Sequence, residues 1–267
     1  MALRNSLPMT NSEPYGPLSE VTSATVVLVH GAFAESAGWA GVIADLRDRG
    51  YTSLAVPNPL RGLEPDAAYV RSIIDTIPGP VVVVGHSYGG AVMTVAADGA
   101  ENVKALVYIA SFNLDVGESA AEMAAKFPGG ELGTVLDPKP FPLGDGEVGS
   151  DLYIQLDRFH DAFAADVSPE VAELMAVTQR PIAASALQDT ATKAAWKTIP
   201  SWTLVATQDL AIPPASMRFM AERAGYTTVE VEACHAVYVS QPRAVADLIA
   251  AAARATVGDA VPAGAAV

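Results

Sequence analysis

The stretch Val81-Val82-Val83-Val84-Gly85-His86-Ser87-Tyr88-Gly89-Gly90 decides how the rest of the chain is read. Four consecutive valines are what a strand buried on both faces of a parallel sheet needs, because neither face meets water. The Gly-x-Ser-x-Gly-Gly that follows predicts a sharp turn out of that strand into a helix over residues 89–99. Such a turn holds its central residue in strained backbone geometry and tolerates only small neighbours. It lifts the Ser87 hydroxyl clear of the sheet and aims the partial positive charge of a helix N-terminus at developing negative charge. A bare Gly-x-Ser-x-Gly arises by chance in roughly one chain in ten at ordinary glycine and serine frequencies. The strand before it and the helix after it are what separate this one from a structural turn.

Outward from this turn the pattern alternates. Short β-branched runs at 24–29, 51–56, 81–85 and 103–109 are separated by helix-length stretches at 38–49, 65–77 and 89–99, with Gly50 and Pro78 as stop signals. Strand–helix–strand repetition of this kind predicts an α/β fold with right-handed crossovers, a doubly wound, mostly parallel sheet of about six strands. The rhythm breaks after residue 109. From 112 to 199 no strong strand is read; helix-like segments at 119–126, 151–165, 169–178 and 182–187 surround a Pro/Gly-rich piece at 127–149. Residues 112–199 are therefore expected to form a helical lid inserted over the strand ends. Alternation resumes with a strand at 202–206, a helix at 214–224, a strand at 227–231 and a last helix at 243–253. The core is thus read as 24–111 and 200–256, and the terminal segments 1–23 and 257–267, with no periodicity, are expected to be flexible.

The composition suits one large domain: 51% of the 267 residues are hydrophobic and 17% charged, enough apolar side chain to cover a sheet on both faces. Sixteen basic residues against thirty acidic give a net charge of −14, which repels phosphate backbones and anionic lipid. Nucleic acid and membrane are not expected as partners, and the charge is read as a solubility feature. Cys234 is the only cysteine, so no intrachain disulfide can form. With no apolar run of secretory or membrane-spanning length, a cytoplasmic location is expected. A homodimer is compatible with the sequence, although no residue pattern demands one.

Three further segments carry chemistry. His30-Gly31-Ala32-Phe33 leaves the first strand, and such a loop can offer a backbone N–H towards the serine. Ala32 and Tyr88, through their main chains, are the expected oxyanion hole. Of the four histidines, His30 and His86 lie inside turns and are read as structural, and His160 lies on an insertion helix as a surface or pocket-wall residue. His235 follows the last strand, at the carboxyl end where ligands gather in open parallel sheets, and is the expected base. Asp209 leaves the penultimate strand, completing the order Ser, Asp, His; Asp115, beyond the strand at 103–109, is the rival acid. Cys234 is read as a small buried hydrophobe rather than a second nucleophile. No His-Glu-x-x-His or paired-cysteine pattern occurs, and neither a metal nor an organic cofactor is expected.

Val-His-Gly-Ala-Phe at 29–33, Gly-His-Ser-Tyr-Gly-Gly at 85–90, Thr-Gln-Asp at 207–209 and Cys-His-Ala at 234–236 together resemble the α/β-hydrolase superfamily over about residues 24–255. The resemblance is closest to the branch of bacterial esterases related to plant methylesterases and hydroxynitrile lyases. It implies Ser87 as nucleophile, Asp209 as acid, His235 as base and Ala32 with Tyr88 as oxyanion hole. The hydroxynitrile lyases carry a threonine and a lysine where this chain has Gly31 and Ala236, so lyase chemistry is not implied. Relatives with an aspartate nucleophile differ at Ser87. The implied activity is hydrolysis of a small to medium apolar carboxylic ester or lactone through an acyl-enzyme. Met123, Phe127, Phe141, Tyr153, Phe159, Phe163 and Met175 of the insertion would supply an apolar pocket. A cofactor-free haloperoxidase-like perhydrolase and a slow-turnover small-molecule receptor are the alternatives within the same fold.

Overall fold

The computed structural model describes residues 24–144 and 146–258. The segment 1–23 and, beyond Gly258, the tail, both expected to be flexible, lie outside the described residues. In chain order the first half runs β1 (Thr25–Val29), α1 (Ala40–Asp48), β2 (Thr52–Val56), α2 (Leu63–Ile74), β3 (Val81–Ser87), α3 (Tyr88–Ala96) and β4 (Val103–Ser111). An insertion follows, with α4 (Ala120–Ala125), β5 (Leu136–Gly144), β6 (Glu147–Ile154), α5 (Phe159–Phe163), α6 (Pro169–Thr178), β7 (Ile182–Ala183) and α7 (Ala184–Gln188). The chain then completes the sheet with β8 (Ser201–Ala206), α8 (Pro214–Ala224), β9 (Thr227–Val231), α9 (Val237–Ser240) and α10 (Pro242–Thr256).

Six strands pair in the order β2-β1-β3-β4-β8-β9, all parallel. All seven residues of β3 are buried, as the valine run requires, whereas the edge strands β2 and β9 keep exposed positions. The chain winds from β1 out to β2, then crosses back over β1 to β3. Reversal between β1 and β3 leaves a crevice at their carboxyl ends, because the following segments depart to opposite faces. The last helix closes one face: Val245, Ala246, Leu248, Ile249, Ala252 and Ala253 recur at helical spacing and are buried.

Steric contact brings α3 onto the sheet. A Cβ added to Gly85 would stand 2.6 Å from the Gly90 Cα, and one added to Gly90 would overlap the Ser111 hydroxyl on β4. The glycines flanking Ser87 thus allow a helix and two strands to meet backbone to backbone.

The insertion differs from the all-helical lid expected for 112–199. It contains a three-stranded sheet, β5-β6-β7, with both pairings antiparallel. Residues 151–154, expected to start a helix, belong to β6, and the helix there is confined to Phe159–Phe163. Proline explains the misreading. Pro138, Pro140 and Pro142 occupy alternate positions of β5, opposite Leu152, Ser150 and Val148. An antiparallel ladder directs every second residue's amide to the partner, so period-two prolines leave the other set free to donate. β5 is also an edge strand, where a sheet tolerates proline.

Gly90→Ala should therefore lower stability by about 3 kcal/mol or more in urea unfolding, since the new methyl meets backbone and a packed hydroxyl. Gly133→Ala, where an added Cβ has nothing within 4 Å, should stay within about 0.5 kcal/mol. Equal effects of the two would contradict this account of the packing.

Candidate active site

Ser87 ends β3 with φ 53° and ψ −127°, left-handed backbone that a non-glycine residue adopts only under constraint. Its carbonyl is held by the Ser111 hydroxyl at 2.8 Å and the Phe112 amide at 3.3 Å. The turn directs Oγ to within 2.9 Å of Nε2 of His235, on the loop between β9 and α9. On the far side of the imidazole, Nδ1 lies 2.6 Å from Oδ2 of Asp209, on the loop after β8. The other carboxylate oxygen accepts the amides of Ala211 at 2.7 Å and Ile212 at 2.8 Å. An acceptor-only carboxylate requires Nδ1 to carry the proton, so the Nε2 lone pair faces the serine hydroxyl. Ser87, His235 and Asp209 are 7%, 1% and 2% exposed, so water competes little for these bonds.

The structure thus brings together the three side chains singled out in the sequence from three strand ends. The rival, Asp115, instead pairs with Lys197. His30 and His86 make the hydrogen bonds their turn positions suggested. His30 donates from Nδ1 to the Gly31 carbonyl at 2.9 Å and accepts the Asn58 amide at Nε2, also at 2.9 Å. Burial lowers its pKa to about 4. His86 donates from Nε2 to the His235 carbonyl at 3.0 Å, and burial, reinforced by His235, holds its pKa well below the usual value. The neutral His86 ring lies against the His235 ring, with centroids 4.7 Å apart. His160 donates to the Val167 carbonyl, within the insertion.

Ala32 sits where the β1 loop touches the serine: a Cβ on Gly31 would stand 2.6 Å from the Ser87 Cβ. Tyr88 is the first residue of α3, where an amide has no intrahelical acceptor. Among the described residues neither the Ala32 nor the Tyr88 amide donates to a turn or loop carbonyl, whereas Phe33 donates to Arg180 at 2.9 Å. Ala32 and Tyr88 border a cavity of about 60 Å³ with Ser87 and His235; Ala120, Ala121 and Ala124 of α4 form part of its wall. The larger insertion side chains expected there are mostly committed elsewhere. Met123 and Phe159 are buried in the core, Phe127 packs on Phe219, Phe141 lies under Arg61 and Tyr153 under Lys139, Met175 lines a separate cavity, and Phe163 stands edge-on to the His235 ring at 4.8 Å.

Two carboxylates with no local motif also matter. Asp66 is fully buried, accepts the Tyr88 hydroxyl at 3.1 Å and the Arg61 amide, and is raised in pKa by burial. Asp166, in the insertion, accepts the Cys234 amide at 3.2 Å, the Cys234 thiol and the Ser240 hydroxyl. Ala236 donates to the Phe163 carbonyl at 3.0 Å, so the insertion holds both chain neighbours of His235. Cys234 is 4% exposed, and burial pushes its thiol up to about 12, leaving it protonated and unreactive. Among the described residues no group of three or more His, Cys, Asp or Glu is placed to hold a metal ion, and no helix is long and apolar enough to cross a membrane.

The family model for the alpha/beta hydrolase family matches residues 26–248. The alpha/beta hydrolase nvfD of Aspergillus novofumigatus is 26% identical over 259 residues, covering 88% of this chain and 97% of its own. Polyneuridine aldehyde esterase superposes with a TM-score of 0.74 at 21% identity, over 85% of this chain and 98% of that one. An extracellular α/β-hydrolase from a Paenibacillus species, described as homologous to tobacco salicylic acid binding protein 2, superposes at 0.68 with 21% identity, over 86% and 99%. Both superpositions are likenesses of fold.

The buried neutral histidines set a stability profile. The unfolded chain binds protons near pH 6.5 that folded His30 and His86 refuse, so stability is lost as pH falls from 6.5 towards 4. The slope is up to about 1.4 kcal/mol per pH unit for each ring. Asp66, more readily protonated when folded, offsets part of the loss at the acid end. Urea titrations at pH 7, 6 and 5 should show the decline; a flat profile would contradict neutral burial.

Proposed function

The chain belongs to the alpha/beta hydrolase family, and from that premise we propose that it is a serine hydrolase cleaving a small to medium apolar carboxylic ester or lactone through an acyl-enzyme. The observation that carries this reading is the unbroken relay from the Asp209 carboxylate through His235 to the Ser87 hydroxyl, beside a cavity that Ala32 and Tyr88 help to line.

Each residue has a step its surroundings suit. Asp209 keeps the His235 proton on Nδ1 and stabilises the imidazolium as it forms. The Nε2 lone pair takes the Ser87 proton while Oγ bonds to the ester carbonyl carbon. The carbonyl oxygen becomes an oxyanion and accepts the Ala32 and Tyr88 N–H groups, whose directions are set in advance by the Gly31 contact and the start of α3. Collapse expels the alkoxide, which takes the proton back from Nε2. Water then gives a proton to the same nitrogen, attacks the acyl carbon and releases the acid, and Ser87 recovers its hydrogen. Alanine methyls on the cavity wall leave room for a small acyl group and offer it no polar partner.

Purified protein with p-nitrophenyl acetate and butyrate tests the proposal directly. Ser87→Ala should fold normally and lose turnover by about 10³-fold or more, and Asp209→Asn, which upsets the tautomer, by about 10⁴-fold. Comparable turnover by folded Ser87→Ala would sink the assignment.

A further inference from the structure

The cavity at Ser87 is not the roomiest near the site. A second one, about 260 Å³, lies between the β1–α1 loop, α6 and α9, lined mainly by apolar groups that include Ala37, Val171, Leu174, Met175 and Val239. Phe33 lines both cavities. It follows Ala32 directly, so whatever passes its ring is reached from the oxyanion side of the serine. The ring is 2% exposed and stands edge-on to Phe163 at 6.4 Å, while Phe163 in turn stands against His235. Its backbone has φ 59°, unfavourable for a residue with a bulky side chain, and its amide is tied to the Arg180 carbonyl just beyond α6.

Neither cavity alone reaches the roughly 300 Å³ at which small-molecule sites begin, whereas the two joined do. Polar groups in the larger one are few: among the described residues Glu35 is the only charged one on its wall, the Gln179 and Thr178 side chains are already bonded within the insertion, and the Tyr238 hydroxyl is the one buried polar group there without a partner. A wall of this kind, mostly apolar with one carboxylate, disfavours an anionic arm and accepts a hydrocarbon one. We propose that Phe33 is a gate between the two cavities and a specificity-determining residue, and that the long apolar arm of the ester passes it to lie in the α6 groove. The inference rests on the serine-hydrolase reading and deepens it, setting the substrate class as esters with one small and one extended apolar side.

The test compares p-nitrophenyl decanoate with p-nitrophenyl acetate, and decyl acetate with ethyl acetate, so that either side of the ester can carry the arm. Phe33→Ala should raise the long-to-short ratio of kcat/KM at least tenfold in one series. Ala37→Trp, a substitution on the exposed rim that fills the groove, should lower that ratio at least tenfold, and it decides alone if Phe33→Ala fails to fold. Binding of p-nitrophenyl decanoate to Ser87→Ala by calorimetry reads the groove without turnover, and adding Ala37→Trp should weaken it at least tenfold. A wild type inactive on every ester but with that binding intact would remove the hydrolase reading and leave the groove. Ratios and affinity unchanged by the substitutions would overturn the gate.

Discussion

Close approach of three backbones around Ser87 is the constraint on which the site depends. Gly31 admits the β1 loop to the serine, and Gly85 and Gly90 admit α3 to β3 and β4. Without these contacts the serine would have no reason to remain at φ 53°, since packing alone holds such geometry. The same contacts bring Ala32 and Tyr88 to the cavity that Ser87 lines. One steric arrangement therefore serves both the proposed nucleophile and the proposed oxyanion donors. The β1/β3 reversal of the sheet leaves a crevice open at that point.

Around this frame the hydrogen bonds to the base are directional. Asp209 spends one oxygen on two amides and the other on His235, which leaves the imidazole one tautomer. His86, kept neutral by burial, fixes the His235 carbonyl without placing a second charge beside the base. A protonated His86 would repel the imidazolium that the proposed reaction requires, so its depressed pKa favours that chemistry.

The insertion is part of the same frame. Phe163 and Asp166 hold the residues on either side of His235, and α4 supplies alanines to the small cavity. Removing it would therefore loosen the His235 loop as well as uncover the crevice. The α6 groove lies on the same body, with Phe33 tied to it through Arg180. Positioning of the histidine and shaping of the adjoining space thus share one structural element.

Local sequence determined the parallel sheet, because β3 is a run of valines and burial on both faces leaves no polar alternation to misread. It also marked Ser87, His235 and Asp209, since each follows a recognisable strand and strand ends are where an open sheet gathers side chains. The β5–β6 hairpin was hidden because prolines at every second residue read as loop, and only pairing with β6 shows that those amides are not needed. Asp66 and Asp166 carried no signal, lying 22 and 68 residues from Tyr88 and Cys234, the partners they hold. Phe33 was legible as part of a turn and not as a wall between two cavities. That place exists only once β1, α6 and α9 converge, for a cavity belongs to surfaces brought together from distant segments, and no one segment encodes it.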